Sequence, residues 1–239
     1  MKNPFGGNYI EDFEKTLSAR ALGVLAVLLG VLLAPIQSFI WNKENSPTWI
    51  LKSRPVVEAY EDVWEGALSG GNLESYYVFG RAFFLVYLLL LSAVFLMYRT
   101  SSLMRSIWTQ ATLLGLAMGL IGDVGAYWGG TGDFNEFQGM SFMLETLGFV
   151  VVLVGTTGFG ISLIKRMAGR TGIGWLATLV SPGAIVMGVA TAYFPHGPML
   201  MVGLVWTSVS FSNAKITTEG ATPNLVSTVR KNRHEAGPV

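Results

Sequence analysis

The chain has 239 residues, of which 51% are hydrophobic and 13% charged, with a net charge of +1 and no cysteine. Soluble domains carry about 25% charged residues, so the composition points to a chain whose main solvent is lipid. The missing thiols exclude disulfides, zinc-thiolate sites, iron–sulfur clusters and covalent haem attachment, and two histidines exclude bis-histidine haem and multi-histidine metal sites within one chain.

In chain order, residues 1–17 form an N-terminal segment. Within it Ile10, Phe13 and Leu17 recur at helical spacing, which fits a short interfacial helix or an irregular lead-in equally well. Six apolar stretches follow, at about 18–41, 78–98, 106–126, 140–164, 172–194 and 198–214, each near the ~20 residues that a bilayer core requires. The last is the shortest. The first starts like a secretory signal, with Arg20 before an apolar run. Glu11, Asp12 and Glu14 precede it and apolar character resumes after Pro35, so it is read as a retained span. Backbone groups in lipid have no water to bond, so each stretch is expected to be helical.

Orientation is read from Lys and Arg. Twelve fall in one set of connections: Lys2, Lys15, Arg20, Arg99, Arg105, Lys165, Arg166, Arg170, Lys215, Arg230, Lys231 and Arg233. Four fall in the other: Lys43, Lys52, Arg54 and Arg81. The positive-inside rule then places both termini in the cytoplasm, and an even number of spans agrees. The predicted fold is an all-α polytopic membrane bundle of six transmembrane helices over 18–214. A polar tail, 215–239, is read as disordered by composition.

The first outer loop contains "RPVVEAYEDVWEGALSGG". Val56, Val57, Tyr60, Val63, Trp64, Ala67 and Leu68 share one helical face, and Glu58, Glu61, Asp62 and Glu65 share the other. This predicts an amphipathic helix over about 55–69, whose acidic face is first a solvated surface and alternatively a cap or a docking face. The second outer loop, "YWGGTGDFNEFQG", offers oxygens from Asp133, Asn135 and Glu136, but without the regular ligand spacing of a calcium loop. It reads as an aromatic turn at headgroup level.

Three ionisable residues interrupt the spans. Asp123 lies 18 residues from Arg105, Arg81 lies 18 from Arg99, and Glu145 lies 20 from Lys165. Helical rise converts these to about 27, 27 and 30 Å, so all three sit near one depth under the outer headgroups. Gly115, Gly119 and Asp123 share a helix face, and Glu145 shares a sector with Gly148, Gly155 and Thr156. Small-residue faces are where membrane helices approach, so both carboxylates are expected to turn inward and to meet Arg81. The first reading of this cluster is structural; the alternative is a site that holds a proton or a cation. Ancillary candidates are His196, placed at the outer surface in the turn "YFPHGPM", and Ser181-Pro182, where a kink frees backbone carbonyls in span five.

No G-x-S-x-G run, Walker sequence or cofactor motif occurs, no internal repeat is evident, and no basic stripe suited to nucleic acid appears outside the tail. No cofactor is therefore expected. The lipid bilayer is the expected partner, joined by a protein partner at the outer loop or helix faces, or by a second copy. The leading functional expectation is a non-catalytic accessory or assembly protein. The alternatives are a small proton- or cation-coupled transporter or channel that uses the Arg81–Asp123–Glu145 cluster, and an enzyme acting on a lipid or glycan with Asp123 and Glu145 as acid and base.

Overall fold

A computed structural model describes residues 9–42, 75–129, 135–166, 172–191 and 195–212. The expected loop helix at 55–69, Asp133 and the tail 215–239 lie outside these residues. All the described elements are helical: α1 (Tyr9–Asn42), α2 (Ser75–Thr100), a short 3₁₀ turn (Ser102–Met104), α3 (Ile107–Trp128), α4 (Glu136–Arg166), α5 (Gly172–Thr178), α6 (Val180–Thr191) and α7 (196–212).

Four of these helices are long and apolar enough to cross a membrane, and α5 with α6 makes a fifth if the bent pair is one span. Helix α7 has 17 residues and rises about 25 Å, short of a ~30 Å hydrocarbon core. The segment around 8–17 is not a separate interfacial element, since α1 runs without a break from Tyr9. The distribution of polarity suits a lipid solvent. Leu28, Met143, Ile185 and Val189 are each 60% exposed or more, whereas Asp123, Glu145, His196, Thr112 and Thr156 are fully buried.

Contacts between helices fix their directions. Gly30 meets Val86 and Leu200, and Gly203 meets Val27 and Leu90, so α1 runs antiparallel to both α2 and α7. Gly80 packs on Tyr127 and Gly119 on Tyr87, which sets α3 antiparallel to α2. Arg20 Nε, in the first half of α1, donates to Ser210 O near the end of α7 at 3.2 Å. Arg20, Arg99, Arg105, Lys165 and Arg166 thus collect at one end of the bundle, and Arg81 lies toward the other. Helix α7, the least secure of the expected spans, is the central one. Val202, Val205 and Trp206 are buried, and Trp206 Nε1 donates to Thr156 Oγ1 at 3.0 Å.

Helices α3 and α4 touch backbone to backbone. A Cβ on Gly115 would lie 2.6 Å from Gly148 O and 2.7 Å from Val152 N, and one on Gly148 would lie 2.6 Å from Gly119 N. No side chain fits there without separating the helices. The entry to α4 is a reciprocal cap: Asn135 Oδ1 accepts from Gln138 N at 3.0 Å, and Asn135 N donates to Gln138 Oε1 at 3.1 Å.

The expected kink is present as a break. Helices α5 and α6 meet at 52°, with Leu179 between them. Pro182 has no N–H, so the carbonyl of Thr178, four residues earlier, lacks its helical donor. The hydroxyls nearby are engaged: Thr178 Oγ1 donates to Gly174 O at 2.8 Å, and Ser181 Oγ lies 2.8 Å from Thr157 Oγ1 of α4.

The glycine contacts make a direct expectation. Gly115→Ala should lower stability by about 1–3 kcal/mol, because overlap with backbone outweighs the gain in helix propensity. Gly172→Ala, where a Cβ would meet nothing within 4 Å, should stay within about 0.5 kcal/mol of the parent. Thermal unfolding in detergent measures both.

Candidate functional site

Asp123 lies five residues before the end of α3, and Glu145 nine residues after the start of α4. Helical rise puts them about 8 and 14 Å from those ends. They face one another because Gly122 does so too: a Cβ on Gly122 would lie 2.7 Å from both Glu145 Cα and Ser141 O. Here the missing side chain brings the Glu145 backbone against α3 and its carboxylate beside Asp123.

The third member comes from α7. His196 is the first residue of that helix, set between Pro195 and Pro198, and Met199 N donates to Pro195 O at 3.2 Å to close the first turn. Proline is tolerated in a first turn, where N–H groups have no helical acceptor. His196 Nε2 lies 2.7 Å from Glu145 Oε1 and 3.2 Å from Asp123 Oδ1. With a proton on Nε2 the ring donates to Glu145 and, at longer range, to Asp123. Tyr87, from α2, adds a second donor, its hydroxyl to Glu145 Oε1 at 3.1 Å. Three helices, α2, α4 and α7, therefore meet at the Glu145 carboxylate, and α3 joins them through Asp123.

Aromatic rings close the site. The imidazole stacks on Phe83 with centroids 3.8 Å apart and planes at 18°, and Tyr127 lies 5.6 Å away. Tyr127 in turn packs edge-on against Phe142 at 5.4 Å. Asp123, Glu145 and His196 are all 0% exposed. Two carboxylate oxygens, Asp123 Oδ2 and Glu145 Oε2, are buried and have no hydrogen-bond partner among the described residues. That leaves acceptor capacity on both acids, in surroundings where an unmet charge is expensive.

The structure brings Asp123 and Glu145 together but not with Arg81. The Arg81 Nε donates to Tyr127 O at 2.9 Å, its guanidinium lies 5.1 Å over the Trp128 ring, and Trp128 Nε1 donates to Arg81 O at 3.2 Å. Arg81 thus ties α2 to the end of α3, where the last carbonyls lack helical donors, and the basic group at the acids is His196. The expectation of a surface histidine is corrected in the same way: His196 opens α7 and its ring is buried. Periodicity carried no signal for this, because a turn has no face. The available hint was a histidine bracketed by prolines at the depth of the two acids. Glu136 is exposed in the first turn of α4, away from the cluster.

Ser181 and Pro182 belong to a different region. Ser181 bonds Thr157, which lies twelve residues beyond Glu145 on α4, a rise of about 18 Å. There an open groove of about 610 Å³ is lined by Trp108, Thr157, Ser162, Lys165, Arg166 and Ser181, among others.

Removal of the histidine alone should be costly. His196→Ala leaves two carboxylates buried with no basic partner, and a loss of about 3–5 kcal/mol is expected. Tyr87→Phe, which removes one donor to a carboxylate, should cost about 1.5–3 kcal/mol. Thermal unfolding in detergent would show the order; equal midpoints for the His196→Ala variant and the parent would contradict it.

Comparison of the chain with protein-family models, with curated proteins and with solved structures returns no match, so the buried cluster is the feature from which function has to be argued.

Proposed function

We propose that the chain is a multi-pass protein of a cell membrane that binds a cation inside its helix bundle and acts as a small cation-coupled transporter. One observation carries this reading: Asp123, Glu145 and His196, from three helices, share a fully buried cluster in which two carboxylate oxygens lack a donor among the described residues. With both acids ionised, the cluster has a formal charge of −1 beside an imidazolium and −2 beside a neutral imidazole. A buried charge costs several kcal/mol unless it is compensated, and a bound cation compensates it.

One further feature bears on transport: α5 and α6 meet at 52° in the form of a discontinuous helix, at a level about 18 Å along α4 from the cluster. In this reading α7 is a sixth crossing and both termini are cytoplasmic, as the twelve-to-four division of Lys and Arg favours. The cluster then lies toward the outer face. An accessory role accounts for the glycine contacts between helices but gives the three ionisable side chains no task. An enzyme would need its acids within reach of a headgroup or glycan, and both are buried.

Proteoliposomes loaded with indicators for protons and for divalent cations test this. The wild-type chain should carry one of these ions faster than protein-free vesicles. Asp123→Asn and Glu145→Gln should abolish that flux, and Glu136→Gln, at an exposed position, should leave it unchanged. Flux equal in wild type and Glu145→Gln, or no flux above protein-free vesicles, overturns the transport reading.

A further inference from the structure

Resting on that view of the cluster as a cation site, we infer that the ion is a divalent transition metal of the zinc, manganese or iron(II) class, held by Asp123, Glu145 and His196. The three residues each offer one ligand atom, and these atoms all lie within 4.8 Å of one another. Ligands bound ~2 Å from a tetrahedral zinc ion lie about 3.3 Å apart. His196 Nε2 lies 2.7 Å from Glu145 Oε1 and 3.2 Å from Asp123 Oδ1, so these two separations differ from that spacing by less than about an ångström.

The unpartnered oxygens are the independent sign of a ligand. Asp123 Oδ2 and Glu145 Oε2 are buried without a donor among the described residues, and a metal accepts such lone pairs where no N–H or O–H is supplied. Charge agrees as well: two carboxylates, a neutral imidazole and one divalent ion sum to zero inside an apolar bundle. A monovalent ion in the same ligand set leaves a net charge behind.

Ligand chemistry narrows the class. One imidazole nitrogen with carboxylate oxygens suits zinc, manganese and iron(II); calcium and magnesium favour sites made of oxygen alone, and soft copper(I) favours sulfur ligands. The surroundings resemble a metal's outer shell. Tyr87 donates to Glu145 Oε1 and would hold that carboxylate in place as a ligand, while stacking on Phe83 fixes the plane of the imidazole.

The test uses the full chain purified in detergent, stripped with chelator and dialysed against Zn²⁺ or Co²⁺. One Zn²⁺ per chain is expected, and Co²⁺ should give visible absorption bands that Zn²⁺ displaces. Glu145→Gln and His196→Gln should lose the bound metal. Tyr87→Phe should keep a stoichiometry of one with affinity about 10–100-fold weaker, as outer-shell changes do. Because ligand variants can misfold, the Co²⁺ spectrum of the wild-type chain stands as a measurement that needs no variant. Its absence, or equal Zn²⁺ binding by wild type and a folded Glu145→Gln variant, overturns the inference. Carboxylate-dependent proton flux without metal binding would sink the metal assignment alone. Bound metal without flux would support it and sink transport alone.

Discussion

The near-contact of α3 and α4 is the constraint from which the rest of the bundle follows. Membrane helices gain little from burying apolar side chains against one another, because lipid tails offer an equivalent solvent. Association must come from dispersion at short range and from polar contacts. Gly115, Gly122 and Gly148 supply the first, since each lets backbone lie where a methyl group would otherwise stand. The approach they permit then brings Asp123 and Glu145 onto one level with no lipid between them. The polar interior is thus a product of close packing, and it adds to that packing by joining α2 and α7 to the same carboxylate.

Much of this was legible in the chain. The all-helical class and the apolar helices follow from composition and run length, because a lipid solvent leaves the backbone few alternatives. The inward turn of both acids follows from spacing: Asp123 falls on the Gly115–Gly119 face, and Glu145 falls beside Gly148. The break in α5–α6 was legible from Pro182, whose covalent geometry acts locally.

What stayed hidden depends on distance in the sequence or on side-chain reach. Arg81 sits at the depth expected, but depth along a helix does not say which way a long side chain turns, and the carbonyl of Tyr127 with the face of Trp128 offered it nearer partners. His196 required knowledge of how a proline-flanked turn enters the bundle. Tyr87 was not singled out at all. Tyrosine is common near membrane surfaces, and only the packing of Gly119 against its ring shows why this one reaches Glu145. Helix α7 looked marginal because it is shorter than its neighbours, and its packing against Thr156, Val27 and Leu90 could not be read from length.

The face-to-face contact between His196 and Phe83 also limits how the imidazole can respond to whatever occupies its edge. A half-turn about its Cβ–Cγ bond would sweep the ring through the space that Phe83 fills. That turn would put the carbon Cε1 where Nε2 now meets the acids, so the stack opposes the loss of both contacts. Whatever the ring exchanges with the carboxylates passes in its own plane, by the single atom Nε2, which a phenylalanine without a polar group helps to keep in place.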